Sequence, residues 1–173
     1  EAIRAGRAST VGAVVPMEAG WPGTLSVALS LAQTERIEEL RSARQVLASA
    51  YVRTLMAVHS IVTPTIADGA APHWSGMVCR LEAGYTAEER DRIVRGLRNH
   101  DVEAAAPRRC IHNFALSESA GFSGMVARSI AGRLIRLPFH LGMTPRDLEI
   151  VAQTLAHMIS RENLSRDVQA RDV

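Results

Sequence analysis

The stretch from Leu134 to Met158 reads LIRLPFHLGMTPRDLEIVAQTLAHM, and its punctuation decides the fold class. The short run Leu134–Leu137 reads as a strand that Pro138 stops, because proline cannot donate to a ladder. Thr144 stands where an N-cap belongs, Pro145 takes the first helical position, and Asp147 faces the positive end of the helix dipole. Leu148, Val151, Leu155 and Met158 recur at helical spacing, so this helix buries one stripe. A strand followed by an amphipathic helix predicts a helix lying on a sheet. Beyond Arg161 the chain turns polar, and a frayed tail is expected.

Upstream the same grammar repeats. Residues through Gly20-Trp21-Pro22-Gly23 are irregular, broken by glycine and proline. From Thr24 to about residue 57 the period is helical, with a break near Thr34, which is placed to cap the second segment. Leu25, Ala28, Leu29 and Ala32 predict one buried face before the break. Ile37, Leu40, Leu47, Tyr51 and Leu55 predict another after it. Residues 58–73 read as loop with one short extended piece, and Trp74 to Leu81 as a strand. Thr86-Ala87-Glu88-Glu89 is a capping box opening a helix to about Asn99 that buries Ile93, Val94 and Leu97. Val102 to Ala106 predicts a second strand stopped by Pro107. A loop over 108–121 and a helix from about Gly124 to Arg133 complete the order. Alternating strands and helices give an α/β (α+β) fold, with helices packed on a small sheet of about three strands.

Composition narrows the function classes. At 173 residues, 47% hydrophobic and 22% charged, the chain can bury a core built from aliphatic side chains, since only 4% are aromatic. A net charge of +2 with interspersed acids argues against a nucleic-acid stripe. Arg90, Arg92, Arg95 and Arg98 share their helix with Glu88, Glu89 and Asp91, and read as a solvated face. Cys79 and Cys110 have no metal-ligand spacing and fit two free thiols, although one disulfide stays open. With no apolar run of spanning length and no leader pattern, a cytoplasmic protein without a membrane segment is expected. The start at Glu1 is expected of a processed, trimmed or incomplete reading frame. All 20 residues in the Lys+Arg count are arginine.

No self-contained catalytic constellation is visible. The histidines His59, His73, His100, His112, His140 and His157 form no pair at ligand spacing, so no metal site is expected. Ser117, Ser119 and Ser123 lie near Gly121 and Gly124 without a nucleophile elbow. A phosphate loop would need a lysine. The densest polar cluster is Arg108, Arg109, Cys110 and His112. Arg108, Arg109 and His112, with Trp21, are the candidates for touching a substrate or a partner's active site, and a solvated turn is the plain alternative.

Three stretches, in order, resemble one family. Leu25-Ser26-Val27-Ala28-Leu29-Ser30-Leu31-Ala32-Gln33, continued by Glu35-Arg36-Ile37-Glu38-Glu39-Leu40, is similar to "alqaAlglaQLerldel". Trp74 to Leu81, the following helix and Val102-Glu103 are similar to a strand, an "RdeLi..L...GI" helix and the next strand. Leu137-Pro138-Phe139-His140-Leu141-Gly142-Met143-Thr144 resembles "sLPlhpglt". Together, from about Ile3 to Ile159, they resemble the DegT/DnrJ/StrS-type pyridoxal-phosphate aminotransferases, which act mainly on keto-sugar nucleotides.

The resemblance implies the small C-terminal domain of a type I aminotransferase. Residues 1–57 would be an irregular lead and the long connecting helices, 58–173 the small domain, and the cofactor domain would be absent. The Schiff-base lysine lies upstream in the family and has no counterpart here, so the chain alone would have no catalytic residue and bind no cofactor; pyridoxal phosphate belongs to the complete enzyme. The family's "GyNyRms", whose Asn reaches the neighbouring subunit's cofactor phosphate, aligns with Met17–Gly23. Ala19 replaces the Asn and Trp21 the Arg, so that contact does not carry over. The family's "vhY.plh" loop matches Pro107–Phe114 loosely, through His112. The implied partner is a cofactor-binding domain or a lysine-bearing homologous subunit, in a dimer. The alternatives are a non-catalytic partner subunit of such a homologue and an unrelated α/β binding module.

Overall fold

A computed structural model describes residues 23–107 and 125–171. Helices α1 (Thr24–Glu35) and α2 (Ile37–Leu55) lead into strands β1 (Ile61–Val62) and β2 (Met77–Leu81). Then come α3 (Ala87–Asn99), α4 (Met125–Ala131), β3 (Leu134–Leu137) and α5 (Pro145–Arg171). The strands form one antiparallel sheet in the order β1-β2-β3.

Alternation sets the inner face of that sheet. Met77, Cys79 and Leu81 of β2 are buried, and Met77 and Cys79 lie opposite Leu137 and Ile135 of β3. Onto this face pack Ile93, Val94 and Leu97 of α3 and Leu148, Val151, Leu155, Met158 and Ile159 of α5. Ala48, Tyr51 and Leu55 join the same cluster, so the second half of α2 belongs to this core. Gly96 lets α3 approach α5 closely, because a Cβ there would collide with the Met158 side chain.

The starts of α3 and α5 form as their sequences dictate. The Thr86 hydroxyl accepts from the Glu89 amide at 3.2 Å, and Glu89 accepts from the Thr86 amide at 2.6 Å. At α5, Asp147 accepts from the Thr144 amide at 2.7 Å while the Thr144 hydroxyl accepts from the Asp147 amide at 3.3 Å. The Thr144 amide, with help from its hydroxyl, holds the Asp147 carboxyl below the usual range.

Five expectations need correction, the last of them the arginine row on α3. No residue of α1 is buried, although its spacing predicts a buried face. Thr34 does not cap α2: its hydroxyl donates back to the Ser30 carbonyl at 2.8 Å, and the break falls at Arg36, which is clamped to Glu39. Val102–Ala106 is not a strand but makes a single bridge, Ala105 to Arg136. The Ala104 amide turns to the Val102 carbonyl at 2.7 Å, and Pro107 has no amide to continue the ladder.

The fourth concerns the end of α5, which continues to Arg171 because its polar residues have partners. Glu162, 7% exposed, accepts from Arg92 Nε at 3.0 and 3.1 Å. The Tyr85 hydroxyl donates to Asn163 at 2.6 Å. Arg166 lies over the Tyr85 ring at 4.8 Å, pairs with Glu89 at 3.2 Å and donates to the Gly84 carbonyl at 3.1 Å.

The arginine row on α3 is more structural than a solvated face. Arg90 is buried and donates to the carbonyls of Ala131 and Leu134 at 3.0 and 3.1 Å. Arg92 holds Glu162, and Arg98 donates to the Ala104 carbonyl at 2.7 Å. Arg95 is exposed and makes no such contact among the described residues. Arg92→Ala is therefore expected to lower stability by leaving the buried Glu162 carboxylate without its guanidinium, and Arg95→Ala to change it little. Urea unfolding of the two variants checks this, and equal effects would contradict it.

Candidate functional site

The four candidate residues Trp21, Arg108, Arg109 and His112 lie outside the described residues. The other histidines are within them, and His59, His73, His100, His140 and His157 are all exposed. Only His100 and His157 come together, edge to face with ring centres 6.3 Å apart. Among the described residues no group of three or more His, Cys, Asp or Glu could hold a metal ion. No helix there is long and apolar enough to cross a membrane.

What the fold does assemble is a depression of about 330 Å³ at the α1–α2 junction. Gln33 and Thr34 reach it from α1, Ile37, Leu40, Arg41 and Arg44 from α2, and His73 and Trp74 from the approach to β2. Trp74 is fixed there by its indole N–H, which donates to Gln45 at 2.9 Å. Arg41 is drawn off to Glu38, also at 2.9 Å, which leaves Arg44 as the open charge there among the described residues. The spacing of Arg41 and Arg44 puts both on one side of α2, but the meeting with Trp74 depends on a tertiary contact. Two guanidinium groups, an imidazole and an indole can meet an anion or a neighbouring surface; they are not a nucleophile and base.

A second hollow, about 250 Å³, lies where the Ala105–Arg136 bridge meets the turn after β3, with Ser75, Arg98, Glu103 and His140 around it. Its charges are mixed, and of its two arginines, Arg98 and Arg136, Arg98 is already committed to a backbone carbonyl. It shows no paired acid and base.

Two buried groups could carry proton chemistry in another setting. Cys79 is 1% exposed, and burial pushes its thiol up to about 12. Tyr51 is fully buried, burial raises its hydroxyl well above the ordinary value, and that hydroxyl has no hydrogen-bond partner among the described residues. Both stay protonated at neutral pH and neither reaches solvent. Pyridoxal phosphate needs a side-chain amine for its Schiff base, and the sequence contains no lysine. The residues of this chain therefore do not fit covalent attachment of that group, and no catalytic step follows from them.

Comparison with known proteins places these observations. The sequence profile of the DegT/DnrJ/EryC1/StrS aminotransferase family matches residues 23–156, more than half of the chain. The match starts at α1, so residues 3–22 of the resemblance lie outside it. No curated protein matches the sequence. Among solved structures, the aminotransferase TlmJ from Streptoalloteichus hindustanus superposes with a TM-score of 0.66 at 20% identity, covering 79% of this chain and 36% of that one. PseC from Helicobacter pylori, an aminotransferase involved in pseudoaminic acid biosynthesis, gives 0.66 at 17% identity, with 78% and 36% covered. 3-Amino-5-hydroxybenzoic acid synthase gives 0.61 at 21%, with 75% and 37% covered. The chain thus spans about a third of the length of these relatives. An unrelated α/β binding module is ruled out by the family match.

The burial of Cys79 has a direct readout. A raised thiol pKa stabilises the fold below the ordinary cysteine range, and that stability is lost as pH climbs toward about 12. In native protein at pH 8, Cys79 is expected to escape iodoacetamide, with labelling appearing only in denaturant. Peptide mapping by mass spectrometry checks this, and rapid native labelling of Cys79 would contradict the assignment.

Proposed function

The chain belongs to the DegT/DnrJ/EryC1/StrS aminotransferase family, and from that premise we propose that it is the C-terminal portion of a pyridoxal-phosphate-dependent aminotransferase acting on keto-sugar nucleotides. The observation that carries the reading is the conjunction of a family match over residues 23–156 with a sequence that has no lysine. The small-domain architecture has its own core, whereas the residue type that must hold the cofactor is missing. On this reading a lysine-bearing polypeptide supplies the Schiff base and the chemistry. This chain supplies an outer wall, and the working assembly is a cytoplasmic dimer.

The aminotransferases among the structural relatives support the reaction class. The sugar is supported by family membership and by the sugar aminotransferases among the similar structures; the synthase relative has a non-sugar product. A second reading is favoured by one feature. Ala19 and Trp21 stand at the phosphate-contacting motif of the resemblance, as expected where a subunit has lost catalysis. In that case the lysine sits on a separate homologous subunit.

One reconstitution tests both. The chain alone, treated with pyridoxal phosphate and borohydride, is expected to gain no side-chain adduct by mass spectrometry and to transfer no amino group. Together with the lysine-bearing polypeptide encoded in frame or alongside it, the adduct is expected on that polypeptide, with transfer from an amino acid to a keto-sugar nucleotide. A lysine found in frame selects the first reading and one on a separate gene the second. Turnover by the chain alone would overturn both, as would finding no lysine-bearing aminotransferase polypeptide in either place.

A further inference from the structure

We propose that His100 and His157 form a two-imidazole seat for a borderline divalent cation such as zinc or copper(II), with water completing the coordination. The two rings stand edge to face, their centres 6.3 Å apart and their planes at 85°. His100 ends α3 and His157 lies on α5, so helix packing joins what the sequence separates. That packing is fixed one turn away, where Gly96 brings α3 against the side chain of Met158, the neighbour of His157. Both histidines are exposed, and among the described residues neither ring is held by a hydrogen bond or an ion pair. Their nitrogens are free to bind.

The spacing suits one shared ion. A metal–nitrogen bond of about 2.0–2.1 Å places the ion roughly 3.2 Å from a ring centre, so two ring centres lie about 5 Å apart at a tetrahedral angle and about 6.4 Å apart when opposed. The observed separation falls inside that range, and exposed side chains close the remaining distance by changing rotamer. The donor set then selects the ion. Imidazole nitrogen suits zinc, nickel and copper, whereas magnesium and calcium require oxygen ligands. Cys79, the one free thiol among the described residues, is 1% exposed and cannot join. The nearby charges are of both signs: Asp101 follows His100, and Arg161 stands about one turn beyond His157, both exposed and screened by water. His157 also lies just past the residues that match the family profile, so the pair is no part of that match. An ion held here ties the end of α3 to the middle of α5.

Zinc chloride titrated into the full chain tests the seat, with His100→Gln and His157→Gln as variants. By calorimetry the parent is expected to bind one zinc ion per chain. It is also expected to melt higher with zinc than without, because a ligand that binds only the folded state stabilises it. Each variant is expected to keep the metal-free melting temperature of the parent and to bind zinc more weakly by roughly 10-fold or more, at least the scale on which outer-shell partners of a metal act. His59→Gln is expected to leave binding unchanged. Copper(II) is expected to bind more tightly than zinc, and magnesium not at all. Imidazole nitrogen NMR of the parent needs no variant: the signals of His100 and His157 are expected to shift together with zinc, complete at one equivalent. A parent that binds no zinc, parental affinity in either variant, or shifts confined to other histidines would overturn the seat. So would one ion per two chains with zinc-dependent association, which would put the ion between copies. Failure of the seat leaves the proposed aminotransferase function untouched, since that function rests on the family match and the missing lysine.

Discussion

The contact on which the rest depends is the apolar stripe of α5 laid across one face of the sheet and against α3. Leu148, Val151, Leu155, Met158 and Ile159 reach into the cluster holding Met77, Cys79 and Leu81 of β2 and Ile135 and Leu137 of β3. A sheet of three short strands cannot hold itself together in water, so it needs a helix layer over its buried face. That layer is α5, α3 and the end of α2. The close approach at Gly96 makes α3 and α5 behave as one unit.

Around that core, charge is used to fasten elements together. Glu89 caps α3 and also holds Arg166 of α5. Arg90 ties α3 to the last carbonyl of α4 and the first of β3, and Arg98 ties its far end to Ala104. Arg92 reaches the buried carboxylate of Glu162, beyond the end of the family match. Bonds from guanidinium groups to carbonyls and carboxylates are directional, and they specify which helix lies where better than the aliphatic core does.

Much of this was legible in the sequence because it is local. The Thr86–Glu89 box, the Thr144-Pro145 start, the Leu134–Leu137 strand and the buried stripes of α3 and α5 all follow from spacing over a few residues. What was not legible depends on distant partners. The polar end of α5 reads as a tail until Arg92, Tyr85 and Glu89 are placed beside it. Val102–Ala106 has strand composition, but the local turn at Ala104 leaves one bridge. The apolar period of α1 is real, yet periodicity says that a face will be covered without saying by what. The candidate site was legible as a dense polar cluster over 108–112 and as a resemblance. Its four residues lie outside the described region, and Arg44, His73 and Trp74 meet through folding.

The account makes this chain a domain whose core is complete without α1. Hydrogen exchange on the chain alone tests that most directly, since protection reports local stability element by element. The account predicts strong protection in β2, α3 and α5, and little in α1. Protection of α1 equal to that of α5 in the isolated chain would contradict it.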